Sequence, residues 1–431
     1  MLRFRPQPSP NGRRPSGRSP AEARRLLAQR WIVLCAVVCI GVATAAVQPA
    51  TEPTRALWVT RTTLTSPESI KQMVAAADAG GFNTVLVQVR GRGDAYYSAT
   101  LEPRASELAS KPTFDPLAAV IDHAHASGIK VHAWVAVNLV SSSVSLPASR
   151  DHVVYRAPEW LMVPRELAAE MRKIDLRSPA YLGRLARWTR TQSARVEGLY
   201  TSPLHGAAQE HTAAVIGEIA AKYAVDGIHL DYVRFPSDDF DYSPSAMESF
   251  KNTILPDLTD DERREAAARE ALDPAAYPNL FPEHWNEFRR SRLTSLVIKI
   301  RNAVKAGRAT VALSAAVVPD AQEAFDHRLQ DWRSWIDQSL LDVIVPMAYT
   351  AEADMFQKQI AAARTYAGSR PVWAGIGAYQ LTATQTLQHI AAARRLGAGV
   401  SLFSYEALVA PPNTLNTISE IGRAAFGIAP E

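Results

Sequence analysis

Eight β-rich apolar runs, most of them followed by a helical pattern, constrain this chain more than any other feature. They lie at 55–60, 84–90, 130–137, 227–235, 310–318, 342–349, 371–379 and 399–406. Several are continuous apolar stretches rather than alternating ones. That pattern suits strands buried on both faces of a parallel sheet. Helical periodicity fills most gaps, at 67–79, 115–127, 207–223, 283–305, 328–338, 353–366 and 384–396. Ser66 before Pro67 is a helix-start signal, and Trp285, Phe288, Leu293, Leu296, Ile300 and Val304 fall on one helical stripe. The reading is an α/β chain forming a (β/α)₈ TIM-type barrel. A doubly wound open sheet is the alternative, but no glycine-rich phosphate loop follows the first strand.

Two connections exceed what a plain barrel needs. One runs from 138 to about 206 after strand three and carries Trp160, Trp188 and a helical pattern at 179–191. The other runs from 237 to about 282 after strand four and is rich in acids and prolines. Both belong on the C-terminal face, where loops build substrate clefts. The acid-rich run also reads as a solvated surface.

The first 47 residues have a different character. Residues 1–30 hold eight arginines and one acid, Glu22, so they contribute +7 to an overall charge of +4 and leave the remainder at −3. A mildly acidic body argues against a nucleic-acid footprint. Residues 31–47 are apolar and end in small residues. A basic segment, an apolar run and small residues read as an export signal, with a retained membrane tether through 31–47 as the alternative. Segment 48–54 reads as a linker and 55–425 as the catalytic domain, placed outside the cytoplasm. Both cysteines, Cys35 and Cys39, lie within the apolar run, so the body has no disulfide and no thiol nucleophile.

Barrel chemistry sits at strand C-termini. Strand four reads Asp226-Gly-Ile-His-Leu-Asp231-Tyr-Val-Arg-Phe-Pro236. A carboxylate in a buried run is costly unless paired or used. Asp231 is therefore either a reactive group at the mouth, or a helix cap or partner of Arg234. Strand two ends in Gln88-Val-Arg90-Gly-Arg92-Gly-Asp94. Arg90 either meets a substrate oxygen or bridges two strands. Strand three offers His132, Trp134 and Asn138 on one parity, a set suited to a sugar ring, although His132 also reads as a core histidine. His229, Tyr232 and Tyr349 complete the candidate wall, and strand eight ends at Glu406. His123 and His125, two apart on a helix, do not share a face and read as structural. Carboxylates among aromatic residues are what glycoside hydrolysis requires. No Gly-x-Ser-x-Gly elbow, His-Glu-x-x-His helix or metal-ligand set appears, so neither cofactor nor metal is expected.

Together these motifs resemble the glycosyl hydrolase-like 10 family of bacterial envelope proteins. The resemblance rests on Arg55-Ala-Leu-Trp58-Val, Gly81-Phe-Asn83-Thr-Val-Leu-Val-Gln88-Val-Arg90 and Gly93-Asp94-Ala. It rests also on Gly128-Ile-Lys-Val-His132-Ala-Trp134, the strand-four run, Trp285 with Phe288-Arg-Arg290, and Pro346-Met-Ala-Tyr349. It implies a TIM-type barrel that hydrolyses a glycosidic bond of an envelope polysaccharide, with peptidoglycan glycan strands the substrate linked to members. It places Asp231 on the family's strand-four acid. Glu406 and then Asp94 are the candidates for a second carboxylate. Arg90, His132, Trp134, Asn138, His229, Tyr232, Arg234 and Tyr349 are the expected substrate contacts. A non-catalytic glycan-binding barrel and a metal-dependent deacetylase are the competing readings.

Overall fold

The computed structural model describes residues 52–409 and 417–427. The export signal or tether expected in 1–47 lies outside them. No helix among the described residues is long and apolar enough to cross a membrane.

Eight parallel strands form the centre: β1 (Arg55–Val59), β2 (Thr84–Arg90), β3 (Lys130–Ala136), β4 (Gly227–Asp231), β5 (Ala312–Val317), β6 (Val343–Pro346), β7 (Trp373–Ile376) and β8 (Gly399–Phe403). Each pairs with its neighbour in sequence, and β1 pairs with β8. Bridges Ile344–Val372 and Met347–Gly375 join β6 to β7 and bring the ring round. The fold is thus a (β/α)₈ TIM-type barrel with helices outside.

Strand parity explains the continuous apolar runs. One set of side chains fills the barrel interior: Trp58, Leu86, Trp134, Val343, Val345 and Trp373, with Tyr349 and Phe403 above them. The other set packs outward against the helices. Helix Pro282–Gly307 buries Trp285, Phe288, Leu293, Leu296, Ile300 and Val304, the stripe read from the sequence. It lies close against helix Gly206–Lys222 because Gly217 faces Ala303, where an added Cβ would come within 3.1 Å of the Ala303 methyl.

Most strands are shorter than expected. β4 ends at Asp231 because Tyr232 takes a left-handed backbone, φ 51°. β6 and β7 stop at Pro346 and Ile376. β8 stops at Phe403, and Tyr405–Val409 is already helical. Of the pattern at 328–338 only Trp332–Asp337 is helical, and a separate helix not read from the sequence, Ala321–His327, precedes it.

Both long connections follow β3 and β4 as expected, and each is tied down. The first includes helix Pro179–Thr191 and returns through bridges Leu139–Tyr200 and Leu161–Thr201. Gly198 is obligatory in that return, since a Cβ there would lie 1.6 Å from the Ser141 carbonyl oxygen. The second connection carries Asp241, which is fully buried. Its carboxylate accepts the backbone N–H of Val163 at 2.8 Å and of Ser243 at 2.8 Å, welding the two insertions together. Asp241 was indistinguishable from its acidic neighbours in sequence. Asp260 and Asp261, by contrast, are exposed at a helix start, where they meet the helix dipole.

Candidate active site

Asp231 is the last residue of β4, partly exposed at the C-terminal mouth. Its Oδ1 accepts the backbone N–H of Tyr232 at 2.7 Å, and its Oδ2 accepts Trp134 Nε1–H at 3.1 Å. Burial pushes its pKa above the ordinary aspartate value. Arg234 and these two donors oppose the rise, and the nearby Glu197 charge adds to it. A carboxyl held by two donors and biased towards the protonated form is equipped to give up a proton to a leaving oxygen.

Aromatic side chains from three other strand ends surround it. Phe403 stacks on Tyr349 with ring centres 5.8 Å apart, and Tyr379 stands edge-on to both, at 6.0 and 6.1 Å. Trp134 meets Phe403 at 6.2 Å. Tyr349 lies within electrostatic reach of Asp231. Tyr379 is 52% exposed, an aromatic face open to solvent such as a sugar's C–H face requires. Tyr379 is not among the contacts expected from the sequence.

A second group missed from sequence is Glu197, delivered by the return of the first insertion. Its Oε1 accepts from Arg234 at 2.7 Å and its Oε2 from the Tyr200 hydroxyl at 2.7 Å. Burial opposes its ionisation, but Arg234 and Tyr200 outweigh that and hold its pKa below the usual glutamate value. Arg234 in turn lies 5.0 Å from the centre of the Tyr232 ring. Glu197, Arg234 and Tyr200 thus form a charged buttress beside Asp231. Arg234 belongs to this buttress and is no free contact.

Several expected contacts sit elsewhere. Arg90 is 1% exposed, and its Nε and Nη2 donate to Glu102 at 2.7 and 2.6 Å. Its Nη1 donates to the Ala136 and Val137 carbonyls. It bridges strands, the alternative to a substrate contact. His132 and His229 are 4% and 0% exposed inside the barrel. Burial lowers their pKa values to about 4 and about 3, so both are neutral core residues. His229 accepts Trp58 Nε1–H at 3.2 Å and pairs with Ser314 Oγ at 3.0 Å. Asn138 is also buried, donating to the Thr201 carbonyl at 3.0 Å; it fastens the insertion rather than facing the cleft.

Of the proposed partner acids, Glu406 lies in the first turn after β8. Its Oε1 accepts Thr60 N–H at 2.8 Å and Thr63 Oγ1–H at 2.7 Å, and its Oε2 is buried with no partner. It clamps the turn leaving β1. Asp94 is partly exposed beyond β2, where its Oδ1 accepts the Arg92 N–H at 3.1 Å. A cavity of about 750 Å³ lies between the insertions beside Val196 and Pro236 and takes none of its lining from Asp231. Among the described residues no group of three or more His, Cys, Asp or Glu side chains is arranged to hold a metal ion.

Residues 53–386 match the family described as Glycosyl hydrolase-like 10. The chain belongs to that family. It is 24% identical over 287 residues to the glycosyl hydrolase DigH of Escherichia coli K12, covering 62% of this chain and 55% of that protein. It is 23% identical over 290 residues to the glycosyl hydrolase YngK of Bacillus subtilis, covering 62% and 46%. The chain therefore spans about half the length of the curated relatives it matches. Among solved structures, the glycoside hydrolase domain of PgaB (BpsB) from Bordetella bronchiseptica aligns with a TM-score of 0.58 at 14% identity, over 87% of this chain and 99% of that one. Alpha-L-fucosidase isoenzyme 2 from Paenibacillus thiaminolyticus aligns with a TM-score of 0.56 at 16% identity, over 88% and 49%. The solved structures agree on the barrel, and the family and the curated relatives set the chain among glycosyl hydrolase-like proteins.

Proposed function

We propose that this chain is an exported glycosidase that cleaves a bacterial cell-envelope polysaccharide, with peptidoglycan glycan strands as its substrate. The observation that carries the reading is Asp231: a strand-end carboxyl with a raised pKa, held by Trp134 and the Tyr232 amide, among aromatic faces. In this reading Asp231 protonates the glycosidic oxygen as the bond breaks. Tyr349, Phe403 and Tyr379 hold the sugar ring, and the buried Trp134 positions Asp231 from beneath. Glu406 and Asp94 are the candidates for the second carboxylate, which activates water or attacks the anomeric carbon. The basic, apolar start of the chain supports export, and a tether through 31–47 would keep the barrel at the membrane.

The test is incubation of the full chain with peptidoglycan glycan strands, with and without stem peptides, followed by mass analysis of the products. New reducing ends from the wild type, with a loss of at least about a hundredfold in Asp231→Asn, are expected. Full activity in that variant removes the assignment. Comparison of Asp94→Asn with Glu406→Gln separates the second carboxylate. Loss of turnover at unchanged melting temperature marks the reacting group, whereas a lower melting temperature in Glu406→Gln marks a turn clamp.

A non-catalytic glycan-binding barrel is the second reading. The bonds that Glu406 makes to Thr60 and Thr63 favour it. Retention of the strands without new reducing ends supports that reading.

A further inference from the structure

The loop leaving β2 fixes the backbone of one arginine and leaves its side chain unpaired. The Arg92 N–H donates to Asp94 at 3.1 Å, and its carbonyl oxygen pairs with His152 Nε2 at 2.7 Å. Gly93, at φ 73°, packs so closely on His152 that a Cβ would lie 2.8 Å from the ring. Gly91 admits Arg61, whose Cδ would be 2.8 Å from a Cβ at that position. The Arg92 guanidinium itself makes no hydrogen bond and no ion pair among the described residues.

Arg61 brings a second cation alongside. Its guanidinium donates to the neutral Gln88 Oε1 at 3.1 Å. Partial burial, together with the Arg61 charge, holds the Arg92 pKa below the usual arginine value. Arg104, the third arginine of the pocket, donates to the Lys111 and Phe114 carbonyls. All three line a cavity of about 310 Å³ with Ser142 and Ser145. Two acids share it. Asp94 is engaged by the Arg92 N–H, and Glu107 accepts the Ser106 hydroxyl at 3.0 Å. Burial keeps His152 on the neutral side. Three fixed cations therefore face two acids, with no arginine in ion-pair contact.

Like charges held together in a partly dry pocket are unfavourable unless an anion joins them. A guanidinium fork matches a carboxylate by two parallel hydrogen bonds. Arg92 is also within electrostatic reach of Tyr232, the residue after Asp231, so the pocket adjoins the proposed cleavage point. We propose that the Arg61–Arg92 pocket is a subsite for a carboxylate carried by the glycan, next to the bond whose oxygen Asp231 protonates. This rests on the glycosidase reading for its place in the reaction, but not for its binding.

The test is equilibrium binding to peptide-free peptidoglycan strands, whose lactyl groups are free carboxylates. The control is the same strands after carbodiimide activation and borohydride reduction to alcohols. The wild type should bind the native strands at least about tenfold more tightly, with the difference shrinking at high salt. Arg92→Gln should bring the two affinities within about twofold, and Arg92→Lys should keep part of the difference. Equal wild-type affinities, or an undiminished preference in a folded Arg92→Gln protein, overturn the subsite. Preference without any cleavage would remove the hydrolase reading and leave the subsite standing. Cleavage without preference would do the reverse.

Discussion

Replacing Glu102 with glutamine tests whether Arg90 supports the barrel or touches substrate. The pair is almost fully buried, with side-chain exposures of 1% and 2%. Two parallel bonds join the guanidinium to the carboxylate, and the remaining nitrogen caps the end of β3. Glutamine keeps the shape but turns an NH₂ towards a buried cation. Breaking a buried pair this way costs about 3–5 kcal/mol. For a compact unit spanning Pro53–Glu431, the unfolding entropy is about 0.8 kcal/mol/K. The melting temperature at pH 7 should therefore fall by about 4–6 °C.

The pH dependence supplies an independent check. Burial opposes ionisation of Glu102, yet Arg90 and His211 overcome it and hold the carboxyl at about 2. In the unfolded chain it titrates near 4.3. The native state thus gains stability above about pH 4.3, and that gain fades as pH falls towards 2. Wild-type melting temperatures should drop steeply across this window, and those of Glu102→Gln less so. Calorimetry and KM at 20 °C decide the matter. A variant with normal melting but a raised KM would refute the structural role and return Arg90 to the substrate.

Three further outcomes follow from the site. Trp134→Phe removes one donor to ionised Asp231, so the alkaline limb of the rate profile should move to higher pH; an unmoved limb denies Asp231 the role of acid. Glu197→Gln removes a like charge and frees Arg234, so the same limb should move to lower pH, with folding checked by circular dichroism. Gly198→Ala places a methyl where the Ser141 carbonyl sits. The insertion must then shift and KM should rise several-fold, while a crystal structure with the wild-type loop path and normal kinetics would contradict that packing.

The barrel was legible because its cause is local and repeated. Each strand announces itself by an apolar run, each helix by its stripe and start signal, and chirality leaves few ways to close the series. The position of Asp231 at the strand-four end was legible for a related reason: a carboxylate in such a run has few cheap explanations. What failed to show was how polar groups pair across long separations. Arg90 and His132 have residue types and parity suited to a cleft wall, yet Glu102 claims one and the barrel interior encloses the other. Glu197 is the converse case. Nothing at 195–200 marks it except Gly198, whose need to pass the Ser141 carbonyl is what turns the insertion back towards β4. The ionisation of Asp231 is thus biased partly by a loop 34 positions earlier, through Arg234 and the charge it shares with Glu197. It follows that changes in the first insertion should retune the acid of this barrel without touching its strands. On the proposed reading, that makes the insertion, rather than the strand-four motif, the place from which the working pH of this barrel can be shifted.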